Sequence, residues 1–175
     1  MTDTGSVAIW ITGLPASGKS TITKALARRL GERGAAPAIL ESDELRKILT
    51  PEATYTPEER ALFYRQMALL GALLVRTGIS VIFDATANRR AYRDYARSLI
   101  TRFVEVYVDC PLATCVARDP KGIYAAAAEH RSTSVPGVQD AYEPPHAPDV
   151  AVSCTDDPDV AADRIVAKLK VLEYL

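Results

Sequence analysis

Residues 13–20, Gly-Leu-Pro-Ala-Ser-Gly-Lys-Ser, set two glycines, a lysine and a hydroxyl at the spacing that cradles a nucleotide's phosphates. The glycines let backbone approach an anion closely, and N–H groups at the start of a following helix supply positive potential. Lys19 reaches the β and γ phosphates and Ser20 offers a hydroxyl to Mg2+. Gly13, Ala16, Ser17, Gly18, Lys19, Ser20 and Thr21 are therefore the expected ATP-binding loop. Two acids follow apolar runs further along, Asp43 in Glu41-Ser42-Asp43 and Asp84 after Val81-Ile82-Phe83. Either carboxylate could orient an acceptor hydroxyl, take its proton or hold a water of the Mg2+ shell, and its structural alternative is a helix N-cap. Lys19, Asp43 and Asp84 are the candidate catalytic residues. Arg46, Arg60, Arg89 and Arg90 come after these acids and could hold an anionic acceptor or spread transition-state charge. Arg46 lies three residues beyond Asp43, on one helical face with it.

These residues need elements to hold them. Short apolar runs alternate with longer stretches of helical period, the pattern of βαβ units around a parallel sheet. The strands are expected over 7–12, 38–41, 80–83, 104–108 and 150–153, each apolar enough to be covered on both faces. Helices are expected over 19–30, 44–49, 57–77, 90–101, 112–118 and 158–172. Thr56-Pro57-Glu58-Glu59 offers an N-cap, a proline at the first helical position and a capping-box glutamate, and Asp157-Pro158 repeats the first two devices. The loop motif thus falls between the first strand and the first helix, which makes it specific. One stretch fits no element: residues 119–148 hold Gly122, Gly137 and several prolines, too long for an ordinary connection. It reads as a lid, partly helical around 123–129.

Composition limits what such a site can serve. The chain has 175 residues, enough for a single domain over 1–175, and its 21 basic against 22 acidic residues argue against an electrostatic nucleic-acid or membrane binder. No apolar run approaches the ~20 residues of a membrane span, and a cytoplasmic location is expected. Cys110, Cys115 and Cys154 are an odd number in a pattern that matches neither a disulfide framework nor a usual zinc site, so they read as buried thiols. No Asn-Lys-x-Asp guanine-reading element occurs, and the length leaves little room for a motor's coupling domain. A small-molecule kinase is the class that fits.

The string Phe103 to Tyr124, FVEVYVDCPLATCVARDPKGIY, then Gly137 and AYEPPHAPDV at 141–150, together with GLPASGKST and ESDELR, resembles the adenylyl-sulfate kinase family over almost the whole chain. The resemblance implies a P-loop kinase-type three-layer α/β sandwich with a five-stranded parallel sheet and a lid at about 119–148. It further implies ATP with Mg2+ as cofactors and transfer of the γ-phosphate to the 3'-hydroxyl of adenosine 5'-phosphosulfate. Position by position, Asp43 matches the second aspartate of the family's Asp-Gly-Asp motif, a catalytic acid. Arg46 and Arg60 match arginines that grip the phosphosulfate, Tyr55 an aromatic that stacks on the adenine, and Arg118 with Lys121 the lid base near ATP. A small-molecule acceptor is the implied partner, and a homodimer the implied assembly. Departures cluster on the acceptor side: Phe63 replaces an asparagine, Thr133 and Val135-Pro136-Gly137 replace a lysine and Phe-Thr-Gly, and 84–89, Asp-Ala-Thr-Ala-Asn-Arg, replaces Phe-Ile-Ser-Pro-Tyr-Arg. An acceptor pocket rebuilt around Phe63, Arg89 and Arg90 is the expectation that follows, or else a different anionic or nucleotide-linked hydroxyl. A non-catalytic ATP-binding protein is the third reading.

Overall fold

The computed structural model describes residues 5–132 and 134–175. In chain order the elements are β1 (Ala8–Thr12), α1 (Lys19–Gly31), β2 (Ala38–Glu41), α2 (Ser42–Leu49), α3 (Pro57–Arg76) and β3 (Val81–Asp84). They continue with α4 (Arg90–Leu99), β4 (Phe103–Asp109), α5 (Leu112–Arg118), α6 (Ile123–Ala128), β5 (Val150–Ser153) and α7 (Pro158–Val171). The five strands pair in parallel in the order β2-β3-β1-β4-β5. β1 is central because it is apolar on both faces, and every one of its five residues is buried.

Alternation along the strands separates two cores. Ile9, Ile11, Ile82, Val104 and Val106 face α1 and α7, meeting Leu26, Leu30, Ile165 and Leu169. Ala8, Trp10, Val81, Phe83 and Phe103 face the other way, onto Phe63, Met67 and Ala68 of α3 and Ala96 of α4. Trp10 stacks on Phe83 with ring centroids 4.5 Å apart and donates its indole N–H to the Ala85 carbonyl. α3 comes so close here that a Cβ on Gly71 would lie 2.1 Å from the Phe83 ring, so this position excludes any side chain.

The helix starts obey their signals with one difference. Thr56 caps α3 by accepting from the Glu59 N–H at 3.2 Å, and Asp157 caps α7 through the N–H groups of Asp159 and Val160. Glu59, expected to close a capping box on the Thr56 N–H, reaches past it to the N–H and hydroxyl of Thr54 and to Arg46. The charged partner and two donors on one loop outweigh a single backbone N–H.

The segment expected to be a lid divides in two. Its first part carries α6 and a turn whose Gly137, at φ 90°, sits against Leu14 of the phosphate loop. Its second part, 141–149, is a strap fastened from below. Buried Arg93 donates to the Glu143 carbonyl at 2.7 Å and pairs with Glu105 at 2.7 Å, and the Asn88 side chain donates to the Ala141 carbonyl. No helix among the described residues is long and apolar enough to cross a membrane.

Candidate active site

The phosphate loop leaves β1 at Gly13, where a Cβ would meet the Val108 carbonyl at 2.8 Å; only glycine fits so close a backbone approach. Ala16 and Gly18 take positive φ, 62° and 103°, which turns the loop into a concave bed before α1. Gly18 at the helix N-cap supplies no side-chain cap, so the N–H groups of Lys19 and Ser20 at the helix start face an anion site without one, while Thr21 N–H donates to the Gly18 carbonyl. The Ser17 hydroxyl beside it is buried with no hydrogen-bond partner among the described residues. Lys19 folds back over this bed, donating to the carbonyls of Gly13 (3.2 Å) and Leu14 (2.8 Å). Burial lowers its pKa, opposed by the charges of Asp84 and Asp43, so the ammonium is a charge held at a cost that phosphate oxygens would offset.

A cleft of about 470 Å³ opens over the loop, lined by Lys19, Ser20, Asp43, Asp84, Arg118 and Lys121 among others. Asp84 ends β3 beside Ile11 of β1 and is buried. Neither acid is the helix cap that was its structural alternative: Glu41 is the N-cap of α2, and Arg89 that of α4. Asp43 is half exposed in the first turn of α2 and pairs with Lys121 at 2.5 Å, a bond that raises the lysine's pKa. The Ser20 hydroxyl and the Asp84 carboxylate are hard oxygen donors on the wall that holds the phosphate loop, a set that fits Mg2+.

A second cleft of about 330 Å³ adjoins the first and shares Asp43, Thr86 and Lys121 with it. Arg46, Tyr55, Arg60 and Tyr64 line its inner side. Both arginines are buried, yet each is compensated. Arg46 donates to Glu59 at 3.1 Å, while Arg60 donates to the Ser134 carbonyl at 2.7 Å and lies 3.4 Å from Asp140. The Arg60 Nε has no hydrogen-bond partner among the described residues despite its burial. Tyr55, at φ 57°, lies under both guanidinium groups, 4.8 Å from Arg46 and 5.7 Å from Arg60.

The structure therefore brings Gly18, Lys19, Ser20, Thr21, Asp43, Asp84, Arg118 and Lys121 around one cleft and Arg46, Tyr55 and Arg60 around the next. Arg89, expected in the acceptor set, is not among the residues lining either cleft: its guanidinium pairs with Glu143 of the strap at 3.0 Å, and that of Arg90 donates to the Pro144 carbonyl. Val135, itself in the lid segment, is buried against Cys115, Tyr124 and Ala127 and is also among the residues lining the second cleft, while Thr133 lies outside the described residues. The three thiols are free, and burial pushes the Cys110 pKa up, as expected of inert cysteine. Sequence reasoning expected Phe63 at the acceptor pocket but missed Tyr64, and missed that Glu59, read as a capping residue, pairs with Arg46. The available signal was their spacing, since Glu59 and Phe63 are four apart on the helical face that carries Arg60 and Tyr64.

A parallel sheet in this order, with the Gly-Lys-Ser loop between its central strand and first helix, defines a P-loop phosphotransferase. The family profile described as adenylylsulphate kinase matches residues 5–153, and the chain belongs to that family. It is 38% identical over 168 residues to the probable adenylyl-sulfate kinase of Pyrococcus abyssi, covering 95% of this chain and 97% of that one. It is 39% identical over 170 residues to the adenylyl-sulfate kinase of Gloeothece citriformis, covering 97% of each. Among solved structures, the Mycobacterium tuberculosis APS kinase CysC in complex with AMPPNP and APS superposes with a TM-score of 0.89 at 31% identity, covering 94% of this chain and 98% of that one.

Proposed function

We propose that the protein transfers the γ-phosphate of ATP to the 3'-hydroxyl of adenosine 5'-phosphosulfate, giving ADP and 3'-phosphoadenosine 5'-phosphosulfate. The observation that carries this reading is the pair of adjoining clefts, one bedded on the phosphate loop and one walled by Arg46, Arg60 and Tyr55, which meet at Asp43. A phosphoryl donor in the first and an anionic nucleotide in the second would present their reacting atoms to each other at that junction. The family's named members and the APS-bound neighbour support the choice of acceptor.

Each residue then has a task. The loop N–H groups and Lys19 hold the β and γ phosphates, and Lys19 moves from the Gly13 and Leu14 carbonyls to do so. Asp43 receives the proton of the acceptor hydroxyl as its oxygen bonds to the γ-phosphorus, the bond from that phosphorus to the β,γ-bridging oxygen breaks, and ADP leaves. Asp43 must first give up Lys121, which frees that cation for the charge on the transferring group. Ser20 and Asp84 would hold bound Mg2+, whose charge neutralises the phosphate oxygens. Arg118 and Lys121 flank ATP, and residues 119–140 act as the cover that excludes water. The reading includes cytoplasmic location and self-association into a homodimer, and light scattering of the purified protein is the measurement that would test the latter.

An ADP-release assay with adenosine 5'-phosphosulfate, run beside a panel of sugar and nucleotide-linked hydroxyl compounds, tests it. Turnover with the phosphosulfate is expected. A second reading, a different anionic or nucleotide-linked acceptor, is favoured by Phe63 standing where the family pattern has asparagine, and turnover with a panel member alone would select it. Binding of ATP without transfer to any acceptor would indicate a non-catalytic protein.

A further inference from the structure

Phe63 is fully buried, so it cannot touch an acceptor, yet its ring lies 4.0 Å from the Arg46 guanidinium carbon. Tyr55 lies 4.8 Å from the same carbon. One buried cation is thus held on two aromatic faces, while Glu59 and Thr50 both accept from its Nη1. Its remaining donors make no hydrogen bond to a described residue, and Arg46 lines the second cleft. Glu59 also fixes the loop that carries Tyr55, through the N–H and hydroxyl of Thr54. Two rings and one carboxylate thus hold the same guanidinium.

We propose that Phe63 is a positioning residue for the acceptor's anionic group: with Tyr55 and Glu59 it presents Arg46 already oriented toward a sulfate- or phosphate-type oxyanion. The proposal rests on the reading of the second cleft as the acceptor site, and it gives the departure at Phe63 a task. An arginine free to rotate loses several rotamers on gripping an anion; one already clamped does not. The neighbouring cations are matched by carboxylates, Arg60 by Asp140 and Lys121 by Asp43, so the pocket gains little from net charge and depends on orientation.

The experiment compares wild type with Phe63→Leu and Tyr55→Leu. With adenosine 5'-phosphosulfate, Phe63→Leu is expected to raise the acceptor KM about tenfold, the scale of one desolvated cation–π contact, with kcat and the KM for ATP within about twofold. Phe63→Tyr keeps the ring and should restore the wild-type acceptor KM. An unchanged acceptor KM, or an equal rise for ATP, overturns the proposal. Calorimetric titration of inorganic sulfate into protein saturated with AMPPNP separates this outcome from failure of the functional reading. Sulfate has no ring to stack, so weakening by about tenfold in both Leu variants supports the clamp even if the phosphosulfate is no substrate. Equal sulfate affinity in wild type and variants, or none in wild type, overturns it. Should Phe63→Leu fail to fold, the sulfate titration of Tyr55→Leu, changed at a half-exposed position, decides between the same two outcomes.

Discussion

The two clefts are built on different principles. The bed of the first cleft comes from one contiguous stretch, 13–21, and is mostly backbone: positive φ at Ala16 and Gly18, a helix start with no side-chain cap, a carbonyl-parked Lys19. The second cleft is assembled from α2, the 54–55 loop, α3 and the lid, and its walls are side chain on side chain, with both buried arginines tied to carboxylates. A backbone cradle tolerates change only in the few residues whose φ, charge or hydroxyl is used. An assembled pocket can be retuned one pair at a time, which is where this chain departs from its family's pattern.

The contrast breaks first at Lys19. Lys19→Ala should lower kcat/KM by about 100- to 1000-fold or more, the range for removing a preorganised charge from a transferring group, with the melting temperature kept. Near-wild-type turnover in the folded variant would mean that the cradle is backbone alone. Next is Asp43→Asn, expected to lower kcat by about 100-fold as the junction loses its proton acceptor. Asp84→Asn is its partner measurement. If Asp84→Asn acts mainly by raising the Mg2+ concentration needed for half-maximal rate, the division of labour stands; if it lowers kcat more than Asp43→Asn at saturating Mg2+, the two roles exchange.

On the acceptor side the expected effects are smaller and confined. Arg60→Ala removes the contacts to Ser134 and Asp140, so amide exchange over 134–140 should speed up and the acceptor KM rise about tenfold, the effect of one charged hydrogen bond, while the KM for ATP holds. An equal rise for both substrates would make the lid one unit over both clefts and dissolve the distinction.

The smallest effect is in pH. Hydrogen bonds from Thr54 and the charge of Arg46 hold the Glu59 pKa below the ordinary carboxylate value, so its pairing with Arg46 is complete above that value and is lost only as pH falls through the lowered one. The acceptor KM should therefore stay level from pH 8 to 5 and climb below about pH 4. A climb that begins near pH 6 would point to a different titrating group.

The same contrast explains what the sequence made legible. The central strands were readable because a parallel strand covered on both faces is apolar, as in Ala8–Thr12 and Val81–Phe83, whereas β2 and β5, expected to be covered likewise, are edge strands and only partly buried. The phosphate loop was readable because its chemistry and its place between strand and helix are both local. Helix starts at Thr56 and Asp157 were readable for the same reason. The strap at 141–149 was not, since its fasteners, Asn88, Arg93 and Glu105, come from distant elements. Glu59 looked like a capping residue until Arg46, thirteen positions away, claimed it. The pairing of Arg89 with Glu143, fifty-four positions away, was hidden for the same reason.

The most direct measurement follows the phosphoryl group itself. Wild-type protein incubated with Mg2+, γ-labelled ATP and adenosine 5'-phosphosulfate should give one labelled product per ADP, and mass spectrometry of that product should place the phosphate on the ribose 3'-oxygen. Label released as inorganic phosphate, or passed to another hydroxyl compound while millimolar adenosine 5'-phosphosulfate is left untouched, would contradict the assignment of the second cleft.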